Sequence, residues 1–154
     1  MKLSSLADYA VVLMTAAARQ CGGQGASGGR LNATILAAET GVPLPTAQKL
    51  VSRLSAAGLI ESTRGTGGGF HLARPAAAIS LAAVIEAIEG PIAMTTCVDT
   101  ERHDCALDGH CLVKPHWAIV NRALRDALAG VSLADLAAPP PIAPRTAVRA
   151  EVHA

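Results

Sequence analysis

Aromatic side chains are almost absent from this sequence, which has one Phe, one Tyr and one Trp among 154 residues. Because 51% of the residues are nevertheless hydrophobic, the core has to be built from Ala, Leu, Val and Ile. An aliphatic, alanine-rich composition favours helices over a sheet sandwich. We therefore expect a mainly helical fold.

Long apolar runs are also missing. None reaches the roughly 20 residues that a membrane-spanning helix needs, and the start of the chain, 1–5, leads into a helix without the pattern of a signal peptide. We therefore expect a cytoplasmic protein with no membrane partner. The four cysteines are then expected to stay reduced, so a cysteine cluster indicates metal or redox chemistry more than disulfides.

Neither a charge excess nor an enzyme motif marks the chain. Its formal net charge is +1, so DNA binding has to be argued from the positions of the basic residues and not from their total. The sequence lacks a phosphate-binding loop and a nucleophile motif, and it has few aromatic residues to line a pocket. We therefore expect neither an enzyme or redox carrier nor a small-molecule substrate.

The first part of the chain has the pattern of a helix-turn-helix. Apolar residues at three- and four-residue spacing and helix-end signals predict three helices, over residues 4–19, 31–40 and 45–57. The glycine-rich stretch 22–29 ends the first helix. Asn32 and Thr34 are cap candidates for the second, which Gly41 closes, and Pro45 suits the first position of the third. Two short helices joined by a tight glycine turn make a helix-turn-helix.

A small hairpin follows the helix-turn-helix. Residues 59–63 and 70–73 are predicted to be strands, joined by the glycine-rich loop 64–69. Ser80 is the expected cap of a further amphipathic helix that stops at Gly90. This order predicts a winged helix-turn-helix, mainly α with a small β-wing.

The helix that begins at Pro45 has two chemically different faces. Its apolar face, expected to meet the core, consists of Leu44, Ala47, Leu50, Val51 and Leu54. Its outward face carries Thr46, Gln48, Lys49, Ser52 and Arg53. Such side chains hydrogen-bond base edges and phosphates, and a helix fits the major groove.

The wing offers one more basic contact. Arg64, at the base of the glycine hairpin, can reach a phosphate or a minor groove. A solvated helix face and an ordinary glycine hairpin explain each feature taken alone. Their combination in one winged helix favours double-stranded DNA as the partner.

A heptad seam marks the helix expected over 112–130. Its apolar residues, spaced alternately by four and three, are Val113, Trp117, Val120, Leu124, Ala127 and Val131. So narrow a stripe suits packing against one partner helix, which a symmetric homodimer supplies most simply. A short helix is expected over 132–136, followed by a proline-rich tail.

Three of the four cysteines lie between the two predicted helices. Cys97, Cys105 and Cys111 are separated by seven and five residues in a segment without periodicity. Irregular backbone lets three thiolates converge, and thiolates bind iron-sulfur clusters and zinc. The absence of a Cys-x-x-Cys pair, which zinc sites more often use, leans toward a cluster. Cys21 is expected to take no part.

Three cysteines leave at least one coordination position for another residue. Candidates in the sequence are Asp8, Glu101, His103, His110 and His116. A weaker ligand of this kind suits a sensor, because it alters the potential of the cluster. For each histidine the alternative is a surface position, and for Asp8 it is an acid near a helix N-terminus.

These motifs divide the chain into four parts. The expected order is a winged helix-turn-helix DNA-binding domain (1–90), a cysteine-rich cluster-binding loop (91–111), a dimerisation helix with a short C-terminal helix (112–137) and a disordered tail (138–154).

Residues 1–137 resemble the IscR/NsrR family of bacterial winged-helix regulators. The likeness is carried by the residues in 1–10, by 50–54 with 58–60, by the wing sequence Arg64-Gly65-Thr66-Gly67-Gly68-Gly69-Phe70, and by the cysteine trio followed by Trp117. Stretches 111–117 and 121–128 are similar to the regulators of the SUF iron-sulfur assembly operon.

The resemblance implies a dimer that binds promoter DNA under the control of a two-iron or four-iron cluster. One branch of the family has a histidine ligand three residues after the last cysteine, where this chain has Lys114, and a serine cap where it has Leu44-Pro45. Another branch uses an aspartate of the first helix, contributed across the dimer, and Asp8 matches it. Asp8 is therefore the expected fourth ligand, with His116 second.

Two further functions stay open at this point. The chain could be a zinc-bound or metal-free DNA-binding regulator whose thiols respond to oxidation, or a nitric-oxide-sensing repressor of the NsrR type. Assays of iron and sulfide separate the first of these from a cluster-based sensor.

Overall fold

The computed structural model describes residues 3–22, 31–63, 68–99, 105–107 and 109–139. Within them the chain forms α1 (Ser5–Gly22), α2 (Ala33–Thr40), α3 (Leu44–Ala56), β1 (Ile60–Thr63), β2 (Gly69–Leu72), a short 3-10 helix (Ala76–Ala78), α4 (Leu81–Glu89), α5 (Lys114–Ala129) and α6 (Leu133–Ala137). The predicted mainly helical fold with a small β-wing is confirmed. None of the helices in this described part is long and apolar enough to cross a membrane.

Helices α2 and α3 form the helix-turn-helix. Of the two cap candidates, Asn32 fills the role, because its side-chain oxygen accepts a hydrogen bond from the Ile35 N–H at 2.8 Å, whereas Thr34 lies exposed within α2. Gly41 ends α2 in the left-handed region at φ +75°, a conformation that glycine adopts without a steric penalty. Helix α3 starts after Pro43 with no side-chain cap.

The wing is an antiparallel hairpin in which Ile60 pairs with Leu72 and Thr63 with Gly69. A third segment joins it, since the N–H of buried Phe70 donates to the carbonyl of Leu31 at 2.8 Å. This contact ties the wing to the residue just before the helix-turn-helix. The predicted loop residues 64–67, Arg64 among them, lie outside the described residues.

The main core is aliphatic, as the composition predicts. Helix α1 runs through it and buries five alanines along with two larger side chains, namely Ala7, Ala10, Ala16, Ala17, Ala18, Leu13 and Met14. Helix α3 contributes Leu50 and Leu54, and the wing contributes Phe70. Small alanine side chains allow the helices around α1 to approach closely, so packing here depends on shape as well as on apolar area.

Helix α4 separates the main core from a second apolar cluster. Ser80 caps α4 by accepting a hydrogen bond from the Ala83 N–H at 3.2 Å, as predicted. Val84 and Ile88 belong to the main core. Ala82, Ile85 and Ile92 form the second cluster, against which Leu124 and Leu128 of α5 pack.

The short helix predicted near the C-terminal end of the described part is also present. Ser132 caps α6 in a capping box with Asp135, and hydrogen bonds from Ser132 lower the pKa of the Asp135 carboxyl. Leu133 is fully buried in the main core. The proposed domain boundaries stay a prediction, and the predicted tail lies outside the described residues from residue 140 onward.

The cap of α2 can be tested by a pair of substitutions. Asn32→Ala removes the acceptor for the Ile35 N–H, and we expect it to lower the free energy of unfolding by about 1 kcal/mol. Thr34→Ala, an exposed change in the same helix, should leave stability nearly unchanged. Urea denaturation followed by circular dichroism measures both, and an equal loss in the two variants would contradict the assigned cap.

Candidate DNA-binding surface and cysteine segment

The recognition helix, α3, packs one face against the core and exposes the other to solvent, as predicted for all but one residue. Ala47, Leu50 and Leu54 are buried, and Val51 packs against the core at its edge. Leu44, which we predicted to meet the core, is 38% exposed. The prediction was wrong there because Leu44 occupies the first turn of α3, where the chain enters from the exposed Pro43.

The outward face of α3 carries most of the predicted DNA contacts. Gln48, Lys49 and Ser52 are exposed, and Thr46 is half-buried. They lie on the side of α3 opposite the core, which is the arrangement that lets a helix enter the major groove. The residues themselves stay predictions as base or phosphate contacts.

Arg53 is exposed but not free. Its Nη1 donates a hydrogen bond to the carbonyl oxygen of Ile88 at 3.2 Å, in the last turn of α4. Part of the predicted polar face is therefore directed toward the body of the protein. Sequence periodicity places Arg53 on the outer face of α3 but carries no information about which way its long side chain turns.

The wing strands carry polar groups that were not singled out from the sequence. His71 of β2 lies opposite Glu61 of β1, with 3.4 Å between Nε2 and Oε2, and both are exposed. Cys21, His71 and Arg74 line an open cleft of about 500 Å³. Cys97, Cys105 and Cys111 are not among the described residues that line this cleft, and the expectation that Cys21 takes no part with them stays a prediction.

The cysteine segment, residues 90–113, joins α4 to α5. Its described residues form turns and irregular backbone, as predicted. Cys97, Cys105 and Cys111 are all free thiols and all half-buried. The Cys97 sulfur lies 3.1 Å from the Thr95 hydroxyl oxygen.

Three free, partly exposed thiols are a donor set that fits an iron-sulfur cluster. Among the described residues, however, no group of three or more His, Cys, Asp and Glu side chains is close enough to hold a metal ion. The single chain therefore supplies suitable donors without gathering them at one point in the described part. Of the other candidates, Asp8, His110 and His116 are exposed, while Glu101 and His103 lie outside the described residues.

Asn121 of α5 holds the start of the cysteine segment, a role that the sequence did not reveal. Its Nδ2 donates to the Ile92 carbonyl at 2.8 Å, and its Oδ1 accepts from the Met94 N–H at 2.9 Å. One carboxamide thus satisfies two backbone groups. The one sequence feature that could have indicated this role is the spacing of Asn121, which places it on the same stripe of α5 as Trp117 and Leu124.

Helix α5 differs from the predicted seam. Leu124, which the seam assigned to a partner, packs instead on α4 of its own chain together with Leu128. The half-buried stripe of α5 includes Trp117, Asn121, Leu124 and Leu128. The prediction was wrong in part because an apolar stripe does not specify whether its own chain or a second chain covers it.

A second apolar surface of α5 and its entry is uncovered in the described chain. Leu112 is 89% exposed and Ile119 is 69% exposed, and Val113 and Val120 are also exposed. On the opposite side, Arg125 pairs with Glu86 of α4, with 2.8 Å between Nε and Oε1. The pKa of Arg125 is raised, mainly by this hydrogen bond and secondly by the negative charge of Glu86.

A family model and a sequence relative both match this chain, and both are described as transcriptional regulators. Residues 3–139 match the model of a family described as Rrf2, iron-dependent transcriptional regulator. The chain is 31% identical to the helix-turn-helix-type transcriptional regulator IscR of Yersinia pestis over 136 residues, which is 88% of this chain and 79% of that protein.

Solved structures agree with the sequence relatives. The IscR of T. potens is 26% identical and superposes with a TM-score of 0.64, covering 88% of this chain and 85% of the other. CymR, the global cysteine regulator of B. subtilis, is 27% identical with a TM-score of 0.66, covering 89% of this chain and 96% of the other. The similarity therefore includes both the winged helix and the helices that follow it.

The outward face of α3 predicts a measurable salt effect. Lys49→Ala should weaken binding to duplex DNA and reduce the slope of log affinity against log salt concentration by about 1, because one phosphate contact is lost. Arg122→Ala removes the same charge from an exposed position of α5 and is the matched control. Fluorescence anisotropy over a salt series measures both slopes. Equal slopes for Lys49→Ala and the unaltered protein would exclude Lys49 from the interface.

Proposed function

This chain belongs to the Rrf2 family of transcriptional regulators, and from that premise we propose that it controls iron-sulfur assembly genes of the SUF type by sensing through an iron-sulfur cluster. It is a DNA-binding winged-helix regulator and not an enzyme. Since its partner is promoter DNA, we assign it to the bacterial cytoplasm. The proposal has three parts: the DNA contacts, the dimer and the sensor.

The DNA contacts are assigned to α3 and the wing. Thr46, Gln48, Lys49 and Ser52 supply the groups that meet bases and phosphates, and their outward position on α3 supports this assignment. Arg64 of the wing is assigned a phosphate or minor-groove contact from its sequence position alone. Arg53 was also predicted to contact DNA, but its guanidinium donates a hydrogen bond to the Ile88 carbonyl of α4.

The working unit is proposed to be a homodimer. Large exposed side chains such as Leu112 and Ile119 are costly in water, and contiguous exposed apolar surface usually marks an interaction site. Tyr9 and Val12 on α1 are exposed as well. A two-fold pairing would cover equivalent surfaces on both chains at once and would present two recognition helices to one operator.

The observation that carries the sensor is the cysteine segment. It has three free thiols within 97–111, all half-buried, in a chain that resembles proteins named IscR. We assign Cys97, Cys105 and Cys111 as cluster ligands. Asp8 of the partner subunit is the first choice for the fourth, because Asp8 is exposed on the same helix as Tyr9 and Val12, and His116 is the second choice.

A bound iron-sulfur cluster supplies a centre whose presence and charge depend on iron, oxygen and reactive small molecules. What this chain contributes is a cysteine segment anchored at one end by Asn121 to α5 and joined at that end to α4. A change in the cysteine segment can therefore affect both α5, which is proposed to form the dimer, and the winged helix-turn-helix, to which α4 belongs. A coupling free energy of about 1–3 kcal/mol is enough for a useful switch.

A thiol-based or zinc-bound regulator is the second candidate. It is favoured by the similarity to CymR, which is described as a global cysteine regulator. In that case the same three thiols respond to oxidation, and the assignment of the DNA contacts to α3 stays the same.

Metal analysis of protein purified without oxygen separates the two candidates. We expect a brown protein with iron and acid-labile sulfide in comparable amounts, and Cys105→Ala should lose both. Cys21→Ala is the matched control, because Cys21 lies outside the cysteine segment, and it should retain them. Colourless protein that contains zinc, or that stays metal-free after cluster reconstitution, would exclude the cluster and leave the thiol-based regulator.

The dimer has its own test. Ile119→Gln combined with Val120→Gln removes two exposed apolar side chains of α5, and burying such a side chain contributes about 1.5–3 kcal/mol. The dimer dissociation constant should therefore rise at least about tenfold. Arg122→Gln on the same helix is the control, and sedimentation velocity over a concentration series is the measurement. An unchanged dissociation constant would mean that α5 does not form the interface.

A further inference from the structure

Two side chains from different helices hold the backbone around the end of α4. Arg53 of α3 donates to the Ile88 carbonyl at 3.2 Å. Asn121 of α5 bonds both the Ile92 carbonyl and the Met94 N–H, at 2.8 and 2.9 Å. The short stretch 88–94 is therefore held from one side by the recognition helix and from the other by α5.

The Arg53 contact has a clear physical cause. The last four carbonyls of a helix have no intrahelical N–H partner, and the Ile88 carbonyl is one of those in α4. The carboxyl end of a helix also carries partial negative charge, which attracts a guanidinium. An arginine on the outer face of α3 thus finds an acceptor in its own chain.

The stretch between the two contacts is partly exposed and is anchored at one buried residue, Ile92. Gly90 turns the chain out of α4 at φ +85°. Two residues later Ile92 is only 7% exposed and packs with Ala82 and Ile85. Close-packed interiors transmit strain, so the burial of Ile92 ties the backbone just before Met94 to α4.

Cys97 follows this stretch directly. The Thr95 hydroxyl, one residue beyond Met94, lies 3.1 Å from the Cys97 sulfur. The backbone of residues 88–97, held by these side-chain contacts, therefore joins the first thiol of the cysteine segment to the recognition helix. This connection passes through Met94, Ile92 and Ile88 and ends at Arg53.

We propose that Arg53 is a positioning residue, whose hydrogen bond to the Ile88 carbonyl transmits the state of the cysteine segment to the recognition helix. The transmitted signal rests on the proposed sensing function. The coupling of residues 88–97 to α3 through Arg53 does not depend on it. Arg53 sets how α3 lies against α4, and Asn121 sets where the cysteine segment leaves α4. A change at Cys97 then alters the presentation of α3 to DNA.

Hydrogen exchange on the metal-free protein tests the link itself. Arg53→Gln should speed amide exchange in 88–97, as far as Cys97, and Asn121→Ala should speed exchange in 50–56 of α3, a helix that Asn121 does not contact. Lys49→Gln, an exposed change on the same helix, should leave 88–97 unchanged. Arg53→Lys, which keeps a cationic donor, should restore part of the protection.

These outcomes distinguish positioning from simple stability. A general loss of stability would speed exchange in α1 and α6 as well, so protection in those helices is the internal reference. Exchange that rises throughout the chain in Arg53→Gln, or that stays unchanged in 88–97, would overturn the proposal.

DNA binding supplies the second readout. The probe is a duplex selected by the unaltered protein from a random-sequence library, and its affinity is measured with reconstituted and with metal-free protein. Lys49→Gln should lower both affinities and keep their ratio, whereas Arg53→Gln should bring a ratio of about tenfold or more close to one. A ratio that Arg53→Gln leaves intact overturns the proposal. A ratio of one in the unaltered protein instead counts against cluster sensing, and the exchange experiment then decides the role of Arg53.

Discussion

The structure depends on one short helix that is buried on two sides. Val84 and Ile88 direct one side of α4 into the main core, while Ala82 and Ile85 form the second cluster with Ile92. An amphipathic helix with one apolar stripe could serve only one of these contacts. Because α4 serves both, the DNA-binding half and α5 are packed against a common element, and neither can shift without disturbing the other.

The polar contacts follow from the same arrangement. A helix buried on two sides still has terminal carbonyls to satisfy, and the residues after it still have backbone groups to pair. Arg53 and Asn121 meet part of this requirement from opposite neighbours. The Arg125 pair with Glu86 adds a surface contact between α4 and α5. It is solvent-exposed enough that its net contribution to stability is small.

Local signals in the sequence predicted the elements well. Asn32, Gly41 and Ser80 act through their own backbone neighbours, so their roles can be inferred without knowledge of the fold. The burial of Leu50 and Leu54 follows from helical spacing in the same way. Prediction failed where the partner lies far along the chain. Leu124 belongs to an apolar stripe that either its own α4 or a second subunit could cover, and Arg53 and Asn121 find acceptors and donors that only the folded chain brings near. The ligand role of the cysteines stays a prediction, because the described residues do not bring three donors together.

The alanine face of α1 limits how this protein can diverge. Ala7, Ala10 and Ala17 are at most 1% exposed, so their methyl groups are enclosed in the core. In a close-packed interior even one added methylene forces its neighbours to move, at a cost of about 1–3 kcal/mol. Most proteins of this size can exchange one core residue for another of similar volume, but an alanine has almost no larger substitute that fits. We expect substitutions on this face to be limited mainly to alanine, glycine and serine. These positions of α1 should therefore vary less among related proteins than the larger core residues around them.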